Sequence, residues 1–467
     1  MNRFRGSAPG RGRSRGSDGS GVASGAVPSR RQRRRRVLGL AIPAVATLVA
    51  DPLLGLVDTA VVGRLGAAEL GALGLAVSVL GAVSWIFNFL VFGTTSTVAR
   101  AVGAGDPEAA GRRVSHAVQV GLAIGVVVGA VLFVAAGPLL RALGTVEELL
   151  PPAVVYLQVR AVGVPLLLLT YVGHGAFRGV SDTRTPMGIV VAANVVNAVL
   201  TVVLVFPVGL GIAGAAWATV VAEALTAGAL LLRLRRTGLP LIGHGRPDRT
   251  QLAALVVVSR DLFLRTGGLL AGLLAVTAAA GRTGAVTAAG HQVLYQTFLL
   301  VSFLMDGFAI AAQAIVGTAL GAGRIEEARA YGRDLVRWGV GGGAVIAALL
   351  LAGGGVLPRL LTDDPTVLAV IATAWWFAAL GHVVNGPVFA LDGVLMGAED
   401  FAYLRTWTVL AALVGGLGGQ LVATFGGGLL GLWVAVQAMM LVRLVSLVAR
   451  VRGTAWTRTG AGLVVEP

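Results

Sequence analysis

Thr59-Ala60-Val61-Val62-Gly63-Arg64-Leu65-Gly66-Ala67 returns 218 residues later as Thr277-Ala278-Ala279-Ala280-Gly281-Arg282-Thr283-Gly284-Ala285. The same shift lays Gly103-Ala104-Gly105 on Gly321-Ala322-Gly323, Ser84 on Ser302, Gly175 on Gly393, Gly179 on Gly397 and Asp182 on Asp400. One offset held over that distance without insertion or deletion marks a duplicated unit.

The surroundings of each copy define what was duplicated. Of 467 residues 56% are apolar and only 13% charged, and the mean hydropathy is +0.84, far outside the range of a soluble domain. Crossing a hydrocarbon core takes roughly 20 predominantly apolar residues per helix. Stretches of that kind recur near 38–62, 70–97, 114–137, 152–178, 187–206 and 210–234, then near 262–281, 287–319, 334–358, 366–397, 401–423 and 427–449. The fold class is therefore an all-α membrane protein of about 12 transmembrane helices in two six-helix lobes. An even number of spans gives both lobes the same orientation, so they are parallel repeats with the substrate region at their interface. The 68 glycines suit helices whose backbones approach closely. With no cysteine, disulfides, thiolate metal sites and Cys nucleophiles are excluded.

Charge orients the chain. All 37 basic residues are arginine, and residues 1–36 hold eleven of them. With the N-terminus cytoplasmic, 32 arginines fall in cytoplasmic segments or at cytoplasmic helix ends, as the positive-inside rule requires. The expected organisation is a disordered Arg-rich cytoplasmic tail over 1–36, an N-lobe over 37–234, a cytoplasmic inter-lobe loop over 235–261, a C-lobe over 262–450 and a cytoplasmic tail over 451–467. The all-arginine usage reads as a high-GC bacterial genome, and the expected location is the inner membrane. A basic run directly before an apolar helix sets topology and touches anionic lipid, so no nucleic-acid partner is expected.

Intramembrane polar groups are costly and normally face a cavity or a partner. Asp51 and Asp58 lie seven apart on the first helix, hence on one face, as do Asn385 and Asp392 on the tenth. On the eighth helix Tyr295, Ser302, Asp306 and Gln313 fall within about 40° of one another, and the shift of 218 relates the last three to Ser84, Asn88 and Thr95. The fifth helix carries Asn194, Asn197 and Thr201 on one face. The competing reading of each acid is a protonated group that glues helices together, and Asp51 has a further one, since Pro52 follows and frees backbone carbonyls. Arg160 is the lone base expected inside a helix. The histidines at 116, 174, 291 and 382 show no ligand spacing and read as packing residues, so no metal site and no cofactor are expected.

At this point the residues resemble the multidrug and toxic compound extrusion (MATE) family, and within it the DNA-damage-inducible F branch. The resemblance spans about 37–450. Its carriers are the run from Asp51 to Gly63, Arg178-Gly179-Val180-Ser181-Asp182-Thr183-Arg184-Thr185-Pro186, Gly211-Ile212-Ala213-Gly214-Ala215-Ala216-Trp217-Ala218-Thr219, Ala289-Gly290-His291-Gln292 with Met305-Asp306-Gly307, and Leu391-Asp392-Gly393 with Met396-Gly397-Ala398.

The resemblance implies a non-enzymatic secondary active exporter of organic, mainly cationic compounds, working by alternating access against protons or sodium. It implies Asp58 as the first-helix coupling acid and Asn197 as the Asn of the fifth-helix motif. Thr201 stands where many members carry a second acid, a departure that disfavours sodium, because sodium wants several oxygen ligands whereas one carboxyl suffices for a proton. Asp51 and Asn194 are added to this ion-coupling set by their shared faces. Candidate substrate-binding residues are Asp306, Asp392, Asn385, Gln313, Tyr295 and Asn88. Pro43, fifteen residues before Asp58, matches a kinkable proline of some members. The expected partners are small organic molecules and the bilayer, with the protein a monomer. Two other classes stay open: a lipid-linked precursor flippase of the same superfamily, which wants a cationic cavity, and an intramembrane enzyme, which wants a clustered His/Asp or Ser/His set.

Overall fold

The computed structural model describes residues 27–143, 145–237 and 249–460, with the backbone alone at 51 and 249–256. Thirteen helices carry the described residues: α1 (Arg30–Val62), α2 (Ala67–Phe87), α3 (Phe89–Gly103), α4 (Pro107–Ala142), α5 (Leu150–Gly179), α6 (Arg184–Val205), α7 (Gly211–Arg235), α8 (Arg249–Arg282), α9 (Ala285–Gly321), α10 (Ile325–Ala352), α11 (Pro365–Gly397), α12 (Phe401–Phe425) and α13 (Gly428–Arg452). Because α2 and α3 run on through a turn at Asn88, they make twelve helical units long and apolar enough to cross a membrane. Large apolar side chains such as Val126, Val134, Leu349 and Leu417 stand exposed, as lipid-facing positions do.

Helices run past the expected boundaries at the arginine-rich end. α1 starts at Arg30 rather than after residue 36, with Ser29 and Gln32 forming a capping box. α4 and α10 begin at Pro107 and Ile325, and α8 begins at Arg249 inside the stretch expected to be loop. The reason is physical: apolar length marks where a helix leaves the hydrocarbon, whereas its hydrogen-bond ladder continues into water until a cap ends it. The stretch expected as a tail after 450 is also structured, since Trp456 is buried with its indole N–H on the Val451 carbonyl, 3.0 Å away. Residues 1–26, 238–248 and 461–467 of the expected tails and loop lie outside the described residues.

Glycines show the duplication in three dimensions. A Cβ on Gly175 would meet the Val91 carbonyl, and one on its mate Gly393 would meet the Ala309 carbonyl, again 218 residues on. Gly179 and Gly397 repeat the relation against the carbonyls of Thr95 and Gln313. Across the lobes, Gly103 lies against the backbone of Thr318 while Gly321 lies against that of Arg100. Each glycine thus packs on the mate of its own neighbour, which places the pseudo-twofold relation at the α3/α9 crossing.

The lobes hold together at the arginine-rich end. Arg33 Nη2 of α1 pairs with Asp334 of α10 at 2.6 Å, Arg36 approaches Glu327 at 3.4 Å, and Gly307 of α9 packs on Ala41 and Val45 of α1. Arg100 donates to the carbonyls of Ala398 (3.2 Å) and Arg458 (2.8 Å), and the Gly460 N–H reaches the Leu320 carbonyl at 3.4 Å.

Candidate functional site

Two buried polar clusters stand out, one in each lobe. The first gathers on the last turns of α1 and α6. Asp58 is 8% exposed while Asn197 and Thr201 are fully buried. The Thr201 hydroxyl lies 3.3 Å from Asp58 Oδ1 and 3.0 Å from Asn197 Oδ1, so its single proton serves one acceptor at a time. The Asn197 amide donates onward to the Thr219 hydroxyl of α7 at 3.2 Å. This chain of neutral donors around one carboxyl satisfies buried polar groups without a fixed counter-charge in hydrogen-bond contact.

Of the five residues expected there, the structure brings together Asp58, Asn197 and Thr201. Asn194 points elsewhere: its amide donates to the Ala50 carbonyl at 3.1 Å, clamping α6 onto α1 near Pro52. The Asp51 side chain lies outside the described residues. Pro43 sits buried inside α1, with the Thr47 hydroxyl on its carbonyl at 2.9 Å.

The sequence shows Arg160 as a base inside a helix but not its partner or its place in this cluster. Arg160 of α5 pairs with Glu223 of α7 at 2.8 Å, and the guanidinium is within electrostatic reach of Asp58 and of the buried Tyr156 phenol. Glu223 was legible as an acid deep in an apolar helix, yet its partner is sixty-three residues away, a distance periodicity does not bridge.

The C-lobe cluster has the opposite character. Asp392 of α11 receives Arg265 of α8 at 2.8 Å and, closer still, Arg443 of α13, both on Oδ2. All three are buried. Asp306 of α9 lies in the field of Arg265, Arg443 and Arg178, the last contributed by the N-lobe helix α5. The expectation that Arg160 is the lone intramembrane base is corrected: three guanidinium groups face two carboxylates here, and both arginines on Asp392 use Oδ2, leaving Oδ1 buried without a protein hydrogen-bond partner. Arg265 and Arg443 are among the arginines that the sequence places at cytoplasmic helix ends, and the fold turns them inward onto Asp392.

The other substrate candidates scatter. Gln313 donates to the Phe92 carbonyl at 2.7 Å and so ties α9 to α3 across the lobes. Asn385 is fully buried beside His382, with 3.5 Å between its amide and the ring Nδ1. Tyr295 stacks on His291 with ring centroids 6.0 Å apart, and Trp433 and Phe298 join these rings to His382 in one aromatic group. Asn88 is the turn residue between α2 and α3.

Comparison with known proteins places this geometry. The MatE family model matches residues 43–203 and 270–421. The chain is 35% identical over 442 residues to Protein DETOXIFICATION 44, chloroplastic, of Arabidopsis thaliana, covering 91% of this chain and 82% of that protein. It is 32% identical over 288 residues to DNA damage-inducible protein F of Escherichia coli, covering 61% of this chain and 63% of that one. Among solved structures, a MATE in the bent conformation superposes with a TM-score of 0.85 at 22% identity, over 92% of this chain and 97% of that one.

Proposed function

The chain belongs to the MATE family of membrane transporters, and on that premise we propose that it exports small organic compounds by alternating access, driven by protons that bind Asp58. The observation that carries this reading is the Asp58 carboxyl, buried among neutral donors in one lobe and free of any direct ion pair among the described residues. A buried carboxyl with neutral hydrogen-bond partners is a group that can take up and release a proton as its surroundings change.

The arginine-rich end is read as cytoplasmic, which puts Asp58, four residues from the far end of α1, on the outer side. With the lobes joined at the inner end, an external proton reaches Asp58 and changes which α1 packing is preferred. Pro43 and Pro52 supply the bendable turns. The coupling needs only that protonated and ionised Asp58 differ in their preference for the two lobe arrangements.

Organic cations are the first substrate class, following the family. The membrane is read as a bacterial inner membrane. Uptake of ethidium into everted membrane vesicles, which is the export direction, under an imposed pH gradient in sodium-free buffer tests the reading. A wild-type rate equal to that of vesicles lacking the protein, for a panel of cationic compounds, refutes it. A second reading rests on Arg178, Arg265 and Arg443: three buried guanidiniums against two carboxylates favour a substrate carrying an anionic group. Competition of ethidium export by an organic carboxylate of similar size separates the two.

A further inference from the structure

Sodium coupling requires a cluster of oxygens with negative charge to spare. The neighbourhood of Asp58 at first sight offers one: two carboxylates, Asp58 and Glu223, with the oxygens of Thr201, Asn197, Thr219 and Tyr156, drawn from the four helices α1, α5, α6 and α7. Arg160 changes that. Its Nη2 sits 2.8 Å from Glu223 Oε1, and both side chains are largely buried.

Space for the pair is built into the backbone. A Cβ at Gly163 would stand 2.6 Å from Glu223 Oε2 and 3.5 Å from Arg160 Nη1, so any larger residue one turn along α5 would displace the carboxylate. The pair is also incompletely used, because Arg160 Nη1 and Glu223 Oε2 are buried without a protein hydrogen-bond partner. A guanidinium stays charged under all physiological conditions and spreads its donors in a fixed fork. The charged and titratable groups that act on it are Glu223 from α7, Tyr156 from α5 and Asp58 from α1, while α6 contributes only the neutral Asn197 and Thr201.

We propose that Arg160 is a resident cation of the coupling site: by holding Glu223 it removes the second carboxylate a sodium ion would need, and so restricts the coupling ion to a proton on Asp58. The proposal rests on the reading of Asp58 as the coupling acid and adds ion selectivity to it. The acid missing at Thr201 on α6 is thus matched by an acid on α7, Glu223, whose charge Arg160 neutralises. Removing the guanidinium alone leaves the buried Glu223 carboxylate without its counter-charge and Asp58 without the nearest cation, a change that favours binding a cation from solution.

The test measures thermal unfolding of the purified, detergent-solubilised full chain in sodium chloride against choline chloride at equal ionic strength. Wild type shows equal unfolding temperatures in the two salts, whereas Arg160→Gln is raised by several degrees in sodium, with half-saturation in the millimolar range. Sodium stabilisation of wild type overturns the proposal, as does an Arg160→Gln protein as indifferent to sodium as wild type. This measurement needs no transport, so a failure of proton-driven export would strike the function reading and leave the selectivity result standing.

Should Arg160→Gln not accumulate in the membrane, Glu223→Gln serves instead. The freed guanidinium then turns to Asp58 and competes with its proton, so ethidium export in vesicles needs about tenfold more protons on the side that loads Asp58. Glu223→Asp restores the wild-type profile. An unchanged pH profile in Glu223→Gln overturns the proposal.

Discussion

The two lobes share one backbone plan and have opposite interiors. Asp58, Tyr156 and Arg160 of the N-lobe have Val276, Ala374 and Ala378 as their mates under the shift of 218. Conversely, Arg265, Asp306 and Asp392 of the C-lobe answer to Thr47, Asn88 and His174. The N-lobe cluster lies toward the end of the bundle away from the arginines, around a carboxyl with only neutral hydrogen-bond partners. Its C-lobe counterpart lies nearer the arginine-rich end and locks its carboxyl between two guanidiniums. Duplication therefore preserved the glycine contacts that fix helix crossings and released the polar positions to diverge. A carboxyl with neutral hydrogen-bond partners is suited to changing protonation state; one held on one oxygen by two fixed charges is suited to bracing helices.

Five substitutions break or sharpen this contrast. The largest effect is expected from Asp58→Asn, which keeps a hydrogen-bond partner for Thr201 and removes the titrating group. Export driven by a pH gradient falls to the level of empty vesicles while the unfolding temperature stays within a few degrees of wild type. A loss of fold in place of function would make both clusters structural.

Asp392→Asn comes next and should act the other way round. It leaves Arg265 and Arg443 buried without a carboxylate, and breaking a buried pair by removing one partner costs about 3–5 kcal/mol. Chemical or thermal unfolding of the purified chain reads the loss, and a stable Asp392→Asn protein with selectively altered substrates would return Asp392 to the binding site.

The seam between lobes should show symmetry where the clusters show difference. Gly103→Leu and Gly321→Leu each force a side chain into the backbone of the other lobe, an overpacking of about 1–3 kcal/mol. Both are expected to open the arginine-rich end, read as faster maleimide labelling of a single cysteine placed at Ala101, which the cysteine-free chain makes unambiguous. Unequal effects of the two mates would show that the seam is not symmetric in energy. The smallest effect is that of Asn194→Ala, which removes one interhelical hydrogen bond and should cost about 0.6–2 kcal/mol, visible in unfolding but leaving the pH dependence of export unchanged.

The architecture was legible because it rests on properties local to the chain. Apolar length sets the spans, and glycines at one offset record the same helix contact twice. Asp58, Asn197 and Thr201 were legible as well, because each lies on a readable helix face and the first two occupy positions matched by the family resemblance. The pairings were not. Glu223 with Arg160, and Asp392 with Arg265 and Arg443, join helices far apart in sequence, and a helix face says which way a side chain points without saying who faces it. Arg443 shows the cost of that gap: nine residues from the end of its helix it was counted as a topological charge, although a long side chain there can equally turn into the protein.

The segment after α13 has a mechanical meaning of its own. Between Thr454 and Gly460 the chain crosses from Trp456, buried in the core, to Arg458, whose carbonyl is held by the N-lobe Arg100, and on to Gly460, whose N–H is held by the C-lobe Leu320. It works as a clasp sewn to both jaws. Parting the lobes at that end has to undo at least one stitch, so the segment from Thr454 to Gly460 is placed to feel any opening there. A reporter attached just beyond residue 460 would then read each opening as a change in its surroundings, with no label inside the membrane.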